Sequence, residues 1–193
     1  MQPADELRRL IEHSDEAASA EQALTIMTFN VLARPYTKYN HKHHRNSEEI
    51  EDSSQTQQRY ERAGTQILGN ACDLVFLQEC ELAFFDPVWN VQADQLMQTY
   101  HVFPCAWDSN PGTAVLVKKN GRASVSIDPR IYIGGSNETG GTSKSATIVP
   151  VRVGAHQISA VSVHFTLDAE KRLHHANSIG KSLEGESLRG SVK

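Results

Sequence analysis

The chain has no apolar run approaching the roughly 20 consecutive residues needed to cross a bilayer. Its opening, Met1-Gln2-Pro3-Ala4-Asp5-Glu6-Leu7-Arg8-Arg9, places acidic residues where an export signal would have an apolar stretch. No membrane span is therefore expected, and a cytoplasmic or nuclear setting is the default. Cysteine is scarce. Cys72, Cys80 and Cys105 form no CxxC pair, and their odd number argues against a disulfide framework and for buried free thiols. Positive charge is short as well: 19 basic against 23 acidic residues give a net charge of −4. A broad cationic surface for counterion release is thus lacking. This disfavours a long polynucleotide and leaves room for a local basic cleft or a small phosphorylated substrate. The 193 residues, 39% of them hydrophobic, suit one domain with a core, and no repeat interrupts them.

Against these absences stand short apolar runs rich in β-branched and aromatic residues. Leu24-Thr25-Ile26-Met27-Thr28-Phe29-Asn30 and Leu74-Val75-Phe76-Leu77-Gln78-Glu79 read as buried strands, each delivering a polar side chain at its carboxyl end. Ligand sites of α/β folds lie at such ends. Ser54 and Gln57 have capping-box spacing, and the helix they open presents Tyr60, Ala63, Ile67 and Leu68 before Gly69 and Asn70. Asp86-Pro87 signals a second helix with Val88, Val91 and Leu96 on its buried side. Thr113 to Val117, the turn Asn120-Gly121 and Ala123 to Ile127 read as a hairpin. A loop holding four glycines occupies 134–145; a second hairpin follows, Ala146 to Val153 and Gln157 to Phe165. Asp168 caps a last helix with Leu173, Ala176, Ile179 and Leu183 inward. Residues 1–22 read as a helical extension and linker, 23–193 as the main domain, and 34–54 as an exposed insertion. Within it, the tract His41-Lys42-His43-His44 could bind a borderline metal, but no matching Cys or His pair lies nearby, so a solvated loop is the expectation.

Thr28-Phe29-Asn30-Val31-Leu32 and Phe76-Leu77-Gln78-Glu79-Cys80, joined by a helix, resemble the opening of the endonuclease/exonuclease/phosphatase (deoxyribonuclease-I-like) superfamily. The style is nearest to its deadenylase- and nocturnin-like members. The resemblance implies an α/β fold, here the amino-terminal part of a four-layer α/β sandwich of mixed sheets flanked by helices. It also implies divalent-metal-dependent hydrolysis of phosphate esters, with Mg2+ (or Mn2+) as cofactor.

Glu79 is the candidate metal ligand, since Mg2+ takes oxygen ligands and commonly keeps several waters beside one or two carboxylates. A bare strand-end glutamate is more often simply solvated; the Leu77-Gln78-Glu79 pattern and its pairing with Asn30 tip the balance. The Asn30 amide can hydrogen-bond a phosphate oxygen or orient a metal's water, or can simply be a turn asparagine. By resemblance, Asn30 matches the family's first active-site residue, contributing to catalysis and to the metal, and Glu79 its metal-binding glutamate. His164, in Ser162-Val163-His164-Phe165, loosely matches a His-containing strand end of the family; an imidazolium there would bind phosphate or protonate a leaving alkoxide. Pro111-Gly112-Thr113-Ala114-Val115-Leu116-Val117 resembles a family strand in which Gly112 lets backbone approach the ligand, and Lys144 stands where relatives carry a substrate-facing basic residue.

The family's later motifs, a GDxN strand end and an SDH-like Asp-His pair, do not occur in 166–193. The resemblance covers roughly residues 24 to 183, about half of a complete domain by ordinary sizes, so the expectation is a truncated lineage with impaired catalysis. Three functions are expected in competition. The first is a metal-dependent phosphoesterase, for which Phe29-Asn30-Val31-Leu32-Ala33 with Arg59 and Arg62 favours a nucleotide or RNA substrate. The second is a non-catalytic binding or regulatory fragment. The third is a phospholipid or inositol-phosphate hydrolase, slightly favoured by the acidic balance.

Overall fold

A computed structural model of the chain describes residues 23–34, 37, 51–107, 110–126, 130–132, 146–165 and most of 169–183. The expected amino-terminal extension, the His41 to His44 tract, the glycine-rich loop and Lys144 lie outside the described residues.

Strand β1 (Ile26–Asn30) leads to helix α1 (Ser53–Asn70) and returns as β2 (Leu74–Cys80), parallel to β1. A 3-10 turn (Leu82–Phe85) and helix α2 (Ala93–Thr99) follow, then strands β3 (Tyr100–Trp107) and β4 (Asn110–Lys118). These strands form a mixed sheet ordered β1-β2-β4-β3. The second sheet is antiparallel: β5 (Ala123–Val125), β6 (Arg130–Tyr132) and β8 (His156–Val163) all pair with β7 (Ala146–Val153).

Strict alternation along β2 explains why it is central. Leu74 and Phe76 face the space between the sheets with Val115, Val117, Val149, Val151 and Ala160. Val75 and Leu77 face the helices with Tyr60, Ile67, Phe84, Leu96 and Leu116. Side chains on a strand point to opposite faces at each step, so one strand serves two cores. The result is a helical layer, a sheet and a second sheet. In the helical core the Tyr60 and Phe84 rings meet edge to face, centroids 5.3 Å apart.

Several expectations are corrected. The capping box is Asp52 with Gln55, two residues earlier than Ser54 with Gln57: Asp52 Oδ1 accepts from the Gln55 N–H, and Gln55 Oε1 accepts from the Asp52 N–H. Asp86 accepts from the Val88 N–H in a turn, not a helix cap; α2 begins only at Ala93, and Val88 and Val91 are exposed. β1 is an edge strand, with Ile26 exposed, rather than a buried one. Leu173 and Ala176 on the last helical stretch are exposed, while Ile179 and Leu183 are half-buried.

The expected hairpin across Asn120-Gly121 does not exist either. β4 pairs with β2 and β3, while β5 crosses to the other sheet. The cause is Asp73. Its Oδ1 accepts from the Arg122 N–H at 3.0 Å, and its Oδ2 accepts from the Thr25 N–H and hydroxyl at 2.9 and 2.7 Å. A Cβ on Gly121 would lie 3.0 Å from Asp73 Oδ1, tighter than an ordinary contact, so this close approach favours glycine. One carboxylate thus ties the entry of β1 to the chain leaving β4. Burial alone would raise the Asp73 pKa; the hydrogen bonds from Arg122 and Thr25 overcome it and hold the carboxyl below its ordinary 3.8.

Because the folded-state value is depressed, Asp73 stabilises the fold fully above pH 3.8 and progressively less as pH falls through its lower folded value. Asp73→Asn keeps the shape but replaces an acceptor oxygen with a donor. A loss of about 2 kcal/mol in urea unfolding at neutral pH is expected, shrinking as the pH drops below the carboxylate range. An unchanged midpoint at neutral pH would remove Asp73 from this role.

Candidate functional site

Asn30, Glu79 and His164 all lie at strand ends along one edge of the two sheets. Asn30 pairs in register with Gln78, not Glu79. Glu79 occupies the next position, in a bulge between Gln78 and Cys80, where the ladder to β4 shifts and Cys80 pairs with Gly112. Gly112 is buried there, opposite the bulge. The chain at Glu79 takes φ +51°, a left-handed conformation that costs a non-glycine residue about 1 to 2 kcal/mol. Bulges re-aim side chains, and this one turns the glutamate toward the second sheet.

His164 meets it from that sheet. His164 Nε2 lies 3.7 Å from Glu79 Oε1, an ion pair whenever the imidazole is protonated. The approach is set two residues back on each strand: the buried Ser162 hydroxyl donates to the Leu77 carbonyl at 2.8 Å. A second bond joins the sheets nearby, where Thr147 Oγ1 donates to the Thr113 carbonyl at 3.0 Å and lies 2.9 Å from Thr113 Oγ1. With both sheets fastened in this way, residues 79 and 164 emerge side by side.

Glu79 Oε2 is buried with no hydrogen-bond partner among the described residues. A carboxylate oxygen left unpaired out of water is costly, and it persists only where something compensates. A hard divalent cation is such a group, and one carboxylate plus water suffices to anchor Mg2+. Among the described residues no cluster of three or more His, Cys, Asp or Glu side chains forms a dedicated cage. One carboxylate with an unpaired oxygen fits a lightly held, water-rich oxygen site.

The loop after Asn30 is held from below. Asn30 Oδ1 accepts from the Leu32 N–H at 2.8 Å, and Leu32 takes φ +59°. The Arg59 Nη1 donates to the Val31 carbonyl at 2.6 Å, and the rest of that guanidinium grips Glu51 at 2.6 to 3.1 Å. Arg59, expected to favour a nucleotide substrate, is thus committed to the fold. Glu81 Oε2 accepts both the Arg34 N–H at 2.8 Å and the Tyr60 hydroxyl at 2.5 Å. Burial first, and the Glu81 carboxylate second, push the Tyr60 hydroxyl far above its ordinary value, so it remains a donor. Burial likewise raises the Cys80 thiol, which stays protonated beside the site. Glu81 and Arg34 were not singled out in the sequence, and Tyr60 was expected only on the presented face of the helix. A second acid two residues beyond Glu79, at Glu81, was the available signal.

No family model and no curated protein matches the chain. Solved structures do. Danio rerio TDP2, complexed with a single-strand DNA product, matches 83% of this chain and 54% of its own with a TM-score of 0.56 at 14% identity. ANGEL2, a 2′,3′-cyclic phosphatase, matches 75% of this chain and 41% of its own with a TM-score of 0.58 at 13% identity. An endonuclease/exonuclease/phosphatase protein from Bacteroides vulgatus matches 82% and 59% with a TM-score of 0.57 at 17% identity. The chain has the deoxyribonuclease-I-like fold of the endonuclease/exonuclease/phosphatase superfamily. It spans about half the length of these structures.

The strain at Glu79 is separable from its carboxylate. Glu79→Gly removes both, whereas Glu79→Ala removes the carboxylate and keeps the left-handed backbone. The glycine variant is expected to be more stable than the alanine variant by about 1 kcal/mol, read as a higher thermal midpoint. Equal midpoints would mean that the bulge is not strained.

Proposed function

We propose that this chain carries the metal-binding site of a phosphoesterase that hydrolyses a phosphodiester or phosphomonoester, with a nucleotide or RNA as the favoured substrate. The observation that carries this reading is the buried, unpaired Glu79 oxygen on a strained bulge, facing His164 at the convergent strand ends. Strain and unsatisfied charge concentrate where function needs them. The fold shared with TDP2 and ANGEL2 supports phosphate-ester chemistry in general.

In this reading Glu79 would hold Mg2+ (or Mn2+), with Asn30 contributing through its remaining amide capacity. The metal would supply charge stabilisation for the phosphoryl oxygens and a more acidic water. The chain's own groups do the rest. The Asn30 oxygen is engaged by Leu32, so its NH2 is the half that meets a phosphate oxygen. The His164 imidazolium neutralises developing charge, or gives its proton from Nε2 to the leaving alkoxide. When protonated, it faces Glu79 Oε1 across 3.7 Å. Gly112, opposite the bulge, keeps the strand narrow behind the phosphate, and Lys144 is a further phosphate contact on the same reading.

In a second reading the same edge, with its unpaired Glu79 oxygen facing His164, binds a metal and a phosphorylated ligand without turning the ligand over.

Hydrolysis of bis(p-nitrophenyl) phosphate by the purified chain, with and without Mg2+, decides between them. Metal-dependent turnover that falls by about 10² or more in Glu79→Gln is expected. A folded chain that binds Mn2+ through Glu79 yet releases no nitrophenol would establish the second reading. Turnover indifferent to Glu79 would contradict both.

A further inference from the structure

Arg34 stands four residues beyond Asn30, and its backbone is unusually well fixed. Its N–H is held by the Glu81 carboxylate at 2.8 Å, and its carbonyl accepts from the Thr37 hydroxyl at 2.8 Å. Its guanidinium is differently placed from that of Arg59. Arg59 spends its donors on Glu51 and the Val31 carbonyl. The Arg34 guanidinium lies over the Trp89 ring, 5.9 Å from the centroid, and no described carboxylate forms an ion pair with it. A guanidinium held over an aromatic ring in this way keeps N–H groups for a planar or tetrahedral oxyanion.

The segment that carries Trp89 exposes apolar side chains. Leu82 follows Glu81 directly, Val88 precedes Trp89, and Val91 lies two residues beyond it; all three are exposed, Val88 and Val91 at 73% and 67%. Isolated exposed apolar residues need no explanation. Three of them within ten residues, on the segment that leaves the Glu79 strand end and carries the arginine's aromatic support, form a mixed surface. An inositol phosphate offers only polar groups to such a surface. A nucleotide chain offers a phosphate for the guanidinium and a base face for the apolar side chains.

We propose that Arg34, carried on Trp89, binds the phosphate neighbouring the reacting one in a single-stranded nucleic acid, while Leu82, Val88 and Val91 receive its base. This deepens the reading under Proposed function and rests on it for the location of the reacting phosphate. The sequence-wide shortage of positive charge agrees with one placed arginine, not a cationic face.

The test measures binding separately from turnover. Fluorescence anisotropy with a labelled oligouridylate, in EDTA, compares the full chain with Arg34→Ala, Arg34→Lys and Trp89→Leu. Arg34→Ala is expected to weaken binding about tenfold, as for loss of one charge-assisted contact, and to reduce the slope of log affinity against log salt by about 0.7, the value for one phosphate on a single strand. Arg34→Lys keeps the slope but not the full affinity, because an ammonium does not stack flat. Trp89→Leu loosens the arginine and gives a smaller loss. Hydrolysis of bis(p-nitrophenyl) phosphate by the unsubstituted chain, with Mg2+, is followed in parallel. Arg34-dependent oligouridylate binding without any hydrolysis would sink the proposed catalysis and leave this inference standing. Absence of oligouridylate binding, an unchanged slope in Arg34→Ala, or Arg34-dependent capture of phosphatidylserine vesicles in place of the oligonucleotide would overturn it.

Discussion

The hydrogen bond from the Ser162 hydroxyl to the Leu77 carbonyl is the contact on which the site depends. Two sheets packed through aliphatic side chains can slide by a fraction of a residue at small cost, because the apolar contact between them is non-directional. A buried hydroxyl aimed at one carbonyl is directional, and breaking it would strand a polar group. The threonine pair at 113 and 147 adds a second fixed point between the same sheets. With the sheets locked, the residues two steps along from Leu77 and Ser162 emerge together, and these are Glu79 and His164.

The helical side serves the same end by another route. Tyr60 and Arg59 are neighbours on α1, and they hold opposite sides of the loop after β1: Tyr60 through Glu81, Arg59 through the Val31 carbonyl. Their interaction with each other, guanidinium over ring at 4.9 Å, keeps the two grips in step. The outcome is an edge whose walls are well satisfied and whose centre is not. The left-handed backbone of Glu79 and its unpaired oxygen are tolerated because everything beside them is over-determined. A domain optimised for stability alone would place glycine at 79.

How much of this the sequence showed follows from the range of each interaction. The apolar runs Leu24 to Asn30, Leu74 to Glu79 and Ile158 to His164 are local patterns, and they located the strand ends and all three polar residues. β3 escaped notice because Pro104 interrupts its pattern; proline is tolerated there since β3 is the edge of its sheet. Asn120-Gly121 is a strong local hairpin signal, overridden by a carboxylate 47 residues earlier that draws the turn toward the other sheet. The roles of Arg34 and Arg59 could not be told apart from the sequence, since both are arginines following Asn30. Only the partners, Trp89 for one and Glu51 with Val31 for the other, separate a guanidinium held over an aromatic ring from one bound into the fold. The bulge at Glu79 had no sequence signal, because bulges that favour a left-handed residue commonly announce themselves with glycine.

The central claim is that the edge formed by Asn30, Glu79 and His164 is where a divalent cation is held. Paramagnetic broadening by Mn2+ tests it without reference to any substrate. In a two-dimensional NMR titration, the amides of Glu79 and Cys80, the Asn30 side-chain amide and the His164 imidazole are predicted to broaden first, at the lowest Mn2+ added, and Mg2+ is predicted to restore them. Broadening that begins elsewhere, or that is unaltered by Glu79→Gln, would contradict the account.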